Sequence, residues 1–139
     1  MGKKFFISND KNPKNVQIKK DIINHFIANG NDTIAELSKE LDLSVPTVTK
    51  FIGELMDQGL ICEFGKMQTT GGRYPSVYGL NPTSVYFVGV DMTRHHLNIA
   101  LMDFKGDIVQ SQMGIPFIYE NTSEAFDTLC NHIQNFIDQ

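Results

Sequence analysis

Residues 44–61, Ser-Val-Pro-Thr-Val-Thr-Lys-Phe-Ile-Gly-Glu-Leu-Met-Asp-Gln-Gly-Leu-Ile, constrain the fold more than any other stretch. Val48, Ile52, Leu55 and Met56 recur at helical spacing and predict a buried seam. Thr47, Thr49 and Lys50 lie away from that seam and carry hydrogen-bond donors. Ser44 suits an N-cap, Pro46 is tolerated because it falls in the first turn, and Gly59 suits a C-terminal stop. A helix that is apolar behind and polar at its N-terminal end meets the two needs of a DNA-reading element. Its first turns offer donors to base edges and phosphates, and its back is pinned to a core. An ordinary amphipathic helix has the same apolar spacing, so the flanking sequence decides between the two.

The preceding segment supplies what a reading helix leans on. Over residues 15–29, Ile18, Ile22, Ile23, Phe26 and Ile27 form a helical stripe closed by Gly30. Thr33-Ile34-Ala35-Glu36 is a capping box that opens a second helix, with Ile34, Leu37 and Leu41 on its buried face and Leu43 continuing it. The tight turn Asp42-Leu43-Ser44 then leads into residues 45–58, so two short helices and their turn form a helix-turn-helix. After Gly59 the period changes. Residues 60–64 read as a strand, residues 65–74 as a turn-rich tip carrying Lys66 and Arg73, and residues 75–80 as a returning strand. Three helices followed by such a hairpin make a winged helix, and a flexible tip with an arginine suits a backbone or minor-groove contact. Residues 1–14, with Lys3, Lys4, Lys11 and Lys14, read as a flexible basic arm.

The net charge of −4 is unevenly placed. Residues 1–80 hold ten Lys/Arg against nine Asp/Glu, and residues 81–139 hold two against seven. A near-neutral first part implies that any grip on nucleic acid comes from local clustering and from dimerisation, since one winged helix covers one half-site. No apolar run reaches membrane-spanning length and no signal peptide is recognisable, which implies a cytoplasmic protein without membrane attachment. Cys62 and Cys130 match no metal or redox spacing and predict unpaired buried thiols.

Asn81-Pro82-Thr83-Ser84 reads as a boundary with almost no linker, an arrangement suited to mechanical coupling. Residues 85–90 are nearly continuously apolar, as in a central strand. Residues 96–103 alternate, with Leu97, Ile99 and Leu101 on one face, and Phe104-Lys105-Gly106-Asp107 is a turn. Residues 108–117 predict a third strand with Val109, Ser111, Met113 and Ile115 on one face. Residues 121–124 cap a last helix whose Phe126, Leu129, Ile133, Phe136 and Ile137 are spaced for burial. Three strands under one helix are a thin layer, which predicts that residues 81–139 are the beginning of a larger domain. The fold class is thus α+β: a winged helix-turn-helix over residues 15–80, then a β-β-β-α unit.

Two stretches carry a family resemblance. Gly71-Gly72-Arg73-Tyr74-Pro75-Ser76-Val77-Tyr78-Gly79-Leu80-Asn81 resembles the segment that closes the winged helix in ROK-family transcriptional regulators. Val88-Gly89-Val90-Asp91, followed by residues 97–109, is similar to the opening of the ROK sugar-binding domain, which has an actin-like fold. The run Ser44, Thr47, Val48, Thr49, Lys50 is similar to the "S..TVSR" segment of regulator helices. The resemblance implies a repressor of carbohydrate-utilisation genes that binds double-stranded DNA as a homodimer or higher oligomer and answers to a sugar or sugar phosphate. Departures are Ser38 and Asp42, where the pattern has another small residue and a glycine, and Asp91-Met92-Thr93-Arg94, which lacks the glycines of the kinase phosphate loop. Asp91 alone reads as a strand-end residue, with a Mg²⁺-associated carboxylate as the other reading. His95-His96 makes no metal site, because adjacent strand residues point to opposite faces. The family's catalytic base and Cys/His zinc cluster belong to parts of the pattern beyond Gln139. No catalytic residue, cofactor or metal is therefore expected in this segment, zinc being left to a longer form.

The expected DNA contacts are Ser44, Thr47, Thr49 and Lys50 on the helix and Lys66 and Arg73 on the wing. Two other readings stay open at this point: a winged helix that binds protein, and a sugar kinase with an added N-terminal domain.

Overall fold

A computed structural model describes residues 11–66 and 74–139. The chain divides into two compact units between Ser84 and Val85.

In the first unit, α1 (Pro13–Asn29) starts earlier than its apolar stripe because Asn12 accepts a hydrogen bond from Lys14 N at 3.0 Å and Pro13 occupies the first helical position. It ends at Gly30, whose φ of 79° few other residues adopt. Thr33 caps α2 (Ile34–Glu40) by accepting from Glu36 N at 3.2 Å. Ser44 caps α3 (Val45–Asp57). Both helices end in a Schellman arrangement. After α3, Leu60 N donates to Leu55 O at 2.9 Å and Gly59 N to Met56 O at 2.8 Å, with Gly59 at φ 74°. After α2, Leu43 N donates to Ser38 O at 2.9 Å, and the left-handed position falls on Asp42 at φ 51°. The Ser38 hydroxyl donates to the Leu43 carbonyl, so the small residue in α2 ties down the turn it precedes.

The sheet of this unit has the order β1-β3-β2, with β1 (Asp32–Thr33), β2 (Ile61–Lys66) and β3 (Ser76–Leu80) antiparallel. The two-residue β1 was too short to show a period in the sequence. Ile22, Ile23, Phe26, Leu37, Val48, Phe51, Ile52, Leu55, Leu60, Ile61 and Leu80 are buried. Two expectations are corrected. Phe51 is buried where Met56 was expected, Met56 being 36 % exposed, and Ile27 is 58 % exposed and lies outside the core. Phe51 is held between α1 and its own helix: Lys19 Nζ lies 5.8 Å and Lys50 Nζ 5.1 Å from its ring centroid.

In the second unit, β4 (Tyr86–Met92), β5 (His96–Asp103) and β6 (Ile108–Pro116) form an antiparallel sheet in that order, followed by α4 (Ser123–Ile137). Thr122 caps α4, accepting from Ala125 N. The core is Leu97, Ile99, Ile115, Phe117 and Phe136, with Leu101, Leu129 and Ile133 packed against it. The apolar run expected to be a central strand is instead the edge strand β4, and the central strand is β5. Val88, Val90 and Met92 pair beside Leu101, Ile99 and Leu97, yet they stay exposed because the buried cluster draws on β5, β6 and α4. Phe126 and Ile137, expected to be buried, are exposed. The expected face of β6 is broken. Leu97 pairs with Ile115 but Ile99 with Gln112, so an extra residue at Met113–Gly114 moves Ile115 to the core and leaves Val109 and Met113 outside. Gly114, at φ 68°, donates its N–H to Asn98 Oδ1 at 2.9 Å. Cys62 is half-buried and Cys130 exposed, against the expectation of two buried thiols.

Candidate nucleic-acid interface

The candidate site is the exposed N-terminal side of α3 and the end of β2 beside it. Val48, Ile52 and Leu55 fix the back of α3 in the core. Ser44, Val45, Pro46, Thr49 and Lys50 are exposed, while Thr47 is half-buried. A groove opens where Val45 and Thr49 face the start of α2 and the sheet; Lys66, Tyr74, Ser76 and Glu63 line its other side. Of the expected residues, Thr49 and Lys66 line this groove, while Ser44 and Lys50 are exposed on α3 and are not among its lining. Arg73, Gly71 and Gly72, and with them most of the wing tip, lie outside the described residues, as do Lys3 and Lys4 of the basic arm.

The hydroxyls on this face are already engaged. Ser44 Oγ accepts from Thr47 N at 3.3 Å and pairs with Thr47 Oγ1 at 2.8 Å. Thr49 Oγ1 donates to the Val45 carbonyl at 2.8 Å. Ser44 and Thr47 thus hold the turn, and Thr49 keeps acceptor capacity and a free methyl but gives its proton to the helix. After Val45, the backbone amides of the first turn are also missing or engaged. Pro46 has none, and Thr47 N and Val48 N go to Ser44. Any grip on phosphate here falls to side chains more than to the helix end.

Lys50 is 61 % exposed at its side chain and stands 3.8 Å from Glu54, one turn along. Glu54 has a closer partner, Lys19 of α1, at 2.7 Å. Lys19 is buried, its side chain 5 % exposed, so the carboxylate belongs first to that ammonium. Lys50 can turn toward a phosphate or a base without leaving Glu54 unpaired. The sequence did not single out Lys19, Glu54 or Val45 for this face. Glu54 lies four residues beyond Lys50, a spacing that could have found it, but Lys19 comes from another helix and carries no such signal.

In the second unit, Asp91 Oδ2 accepts from Asn98 Nδ2 at 2.9 Å across β4 and β5, and Asn98 passes the link to Gly114. Asp91 is exposed and takes a structural role in the sheet. His95 sits in the β4–β5 turn and only His96 is in the strand, so the expected opposition of two strand residues does not apply. Among the described residues no group of three His, Cys, Asp or Glu side chains could hold a metal ion. No helix among them is long and apolar enough to cross a membrane.

Residues 17–61 match the family of winged helix-turn-helix DNA-binding domains, HTH_24. The xylose repressor of Bacillus subtilis (strain 168) is 30 % identical over 122 residues, which are 87 % of this chain and 31 % of that protein. The DNA-binding transcriptional dual regulator NagC of Escherichia coli (strain K12) is 28 % identical over 105 residues, 74 % of this chain and 25 % of that protein. A crystal structure of a ROK family transcriptional regulator, a homolog of the E. coli MLC protein, superposes on 90 % of this chain and 31 % of its own with a TM-score of 0.63 at 23 % identity. The chain spans about a third of the length of the curated relatives it matches. With a winged helix-turn-helix followed by a three-stranded sheet, the chain shares the fold of that ROK-family regulator over most of its length, and its sequence is similar to those of the xylose repressor and NagC.

Proposed function

We propose that this chain is the DNA-reading part of a repressor of carbohydrate-utilisation genes. The observation that carries the reading is the face of α3 described above: a capped, core-anchored helix whose exposed N-terminal side carries Lys50 and Thr49, with Thr49 lining one groove together with Lys66 at the end of β2. The match of residues 17–61 to DNA-binding winged helices supports the same face. Lys50 contacts a base edge or phosphate in the major groove, and Lys66 and Arg73 reach the flanking backbone or minor groove. Ser44 and Thr47 set the geometry of the turn. One winged helix covers one half-site, so the active species is a homodimer or higher oligomer on a paired operator, in the cytoplasm. The effector is a sugar or sugar phosphate, in keeping with relatives named as xylose and N-acetylglucosamine repressors. The second unit begins the sensing domain. The absence of glycines after Asp91, and the bond from Asn98 to that carboxylate, support a non-enzymatic role.

Gel retardation of duplex DNA by the full chain tests this. Binding should weaken steeply with salt, and loss of one phosphate contact should lower the log–log slope by about 0.9. Lys50→Ala should cost about 1–3 kcal/mol of binding if it reads a guanine. Unchanged binding by the Lys50→Ala, Arg73→Ala double variant would remove this docking. A near-neutral winged helix with Glu63 in its groove also suits a protein partner. That reading predicts no salt-dependent duplex retention at all.

A further inference from the structure

From the exposed face of α3 we infer that Val45 and the Thr49 methyl form an apolar reader for thymine 5-methyl groups in the major groove. The inference rests on the DNA-binding reading above and names part of what that face recognises. Val45 is 50 % exposed, at the first position of a helix whose other large aliphatic residues, Val48, Ile52 and Leu55, are all buried. It stands off the buried seam, so packing does not account for it. Thr49 lies four residues on, which puts the two side chains next to each other on one stripe of the helix. Both line the groove that Lys66 borders, the side from which DNA would approach.

Hydrogen bonding settles what Thr49 presents. Its Oγ1 donates to the Val45 carbonyl at 2.8 Å, so its proton is committed within the helix. Such a threonine offers the incoming duplex a methyl group and an acceptor, and no donor. Among major-groove edges, the thymine C5-methyl is the one apolar feature, and an alanine, a threonine methyl or another small aliphatic group is its matching partner. Two such groups side by side, with Lys50 one residue further on, suit a step that places a thymine beside a guanine or a phosphate.

The test uses duplexes enriched from a random pool by the 139-residue chain. Each strongly preferred thymine is then replaced by deoxyuridine, which removes the 5-methyl and keeps the O4 acceptor. At one or two positions per half-site, uracil should weaken binding about fourfold, the value of one buried methyl-sized group. Val45→Ser, which puts a polar hydroxyl where the valine methyls stood, should reduce the uracil penalty. Thr49→Ser, which keeps the hydroxyl and its bond, should reduce the uracil effect. Circular dichroism of both variants checks that the helix is retained. Equal binding of thymine and uracil duplexes by the unaltered chain overturns the inference while leaving DNA binding in place, as does a full uracil penalty in a Val45→Ser, Thr49→Ser double variant. Failure to retain any duplex overturns the DNA reading itself, and this inference with it.

Discussion

Replacing Glu54 with glutamine should destabilise the first unit far more than its partly exposed position suggests. The carboxylate is 34 % exposed, but the ammonium it meets at 2.7 Å belongs to Lys19, whose side chain is 5 % exposed. Removing one member of a fully buried pair costs about 3–5 kcal/mol, because the remaining charge stays desolvated. An exposed pair is worth about 0.2–1 kcal/mol. This pair lies between the two: water reaches Glu54, the glutamine oxygen can still accept from Lys19, and the Phe51 ring stays 5.8 Å from the ammonium. A cost of about 2 kcal/mol follows. Amide hydrogen exchange by mass spectrometry reads it locally. Peptides of α1 and α3 that open with the unit should exchange about 30-fold faster, since about 1.4 kcal/mol is a factor of ten. Peptides of β5 serve as the internal control. Lys19→Met should cost less than Glu54→Gln, because methionine fills the same slot without a charge and Glu54 keeps both water and Lys50. A change below about 0.5 kcal/mol in Glu54→Gln, or a larger cost in Lys19→Met, would refute the desolvation argument.

Three further outcomes follow from the backbone. Asp42→Gly should stabilise the first unit by up to about 1 kcal/mol, since glycine takes φ 51° without the penalty of a Cβ; thermal unfolding reads the gain. Gly79→Ala should cost about 1 kcal/mol, because its Cβ would fall 2.0 Å from Asn31 Oδ1 and 3.1 Å from the Phe64 ring, and Asn31→Gly in the same chain should recover most of it. Ser44→Ala should cost about 1 kcal/mol by leaving Thr47 N without its cap; an unchanged melting temperature would mean that the cap contributes nothing to α3.

Much of the first unit could be read from residue types with a local task. Ser44, Thr33 and Gly59 announced where helices start and stop, and each does so through a bond between near neighbours. What escaped was decided at a distance. Met56 and Phe51 flank the same seam, and it is Phe51 that is buried, with the Lys19 ammonium of α1 5.8 Å from its ring centroid. An apolar run such as residues 85–90 says that a strand is greasy, but not how many neighbours it has, and here it lies at the edge. The face of β6 went wrong at its pairing with β5, whose register shifts between Leu97 and Ile99 and again between Leu101 and Met102; a bulge reverses the alternation beyond it, and Gly114 is the local mark of the first. At the candidate interface the bonds that the expected residues make were not visible in the sequence. Of the threonines counted as donors, Thr49 gives its proton to its own helix and Thr47 shares a hydroxyl–hydroxyl bond with Ser44.

Asn81 closes the first unit in a way that bears on how a pull along the chain would be felt. Its side-chain amide donates to the Gly59 carbonyl at 2.9 Å, and its backbone N–H donates to Leu60 O at 2.9 Å. The same residue holds Thr83 and Ser84 through its Oδ1 and carbonyl. Tension arriving at Ser84 therefore loads the anchor at the base of α3 directly, as a guy rope loads its peg. Asn81→Ala would remove the side-chain strands of that rope, to Gly59 and Thr83, and keep the backbone ones to Leu60 and Ser84, so the tie slackens without parting.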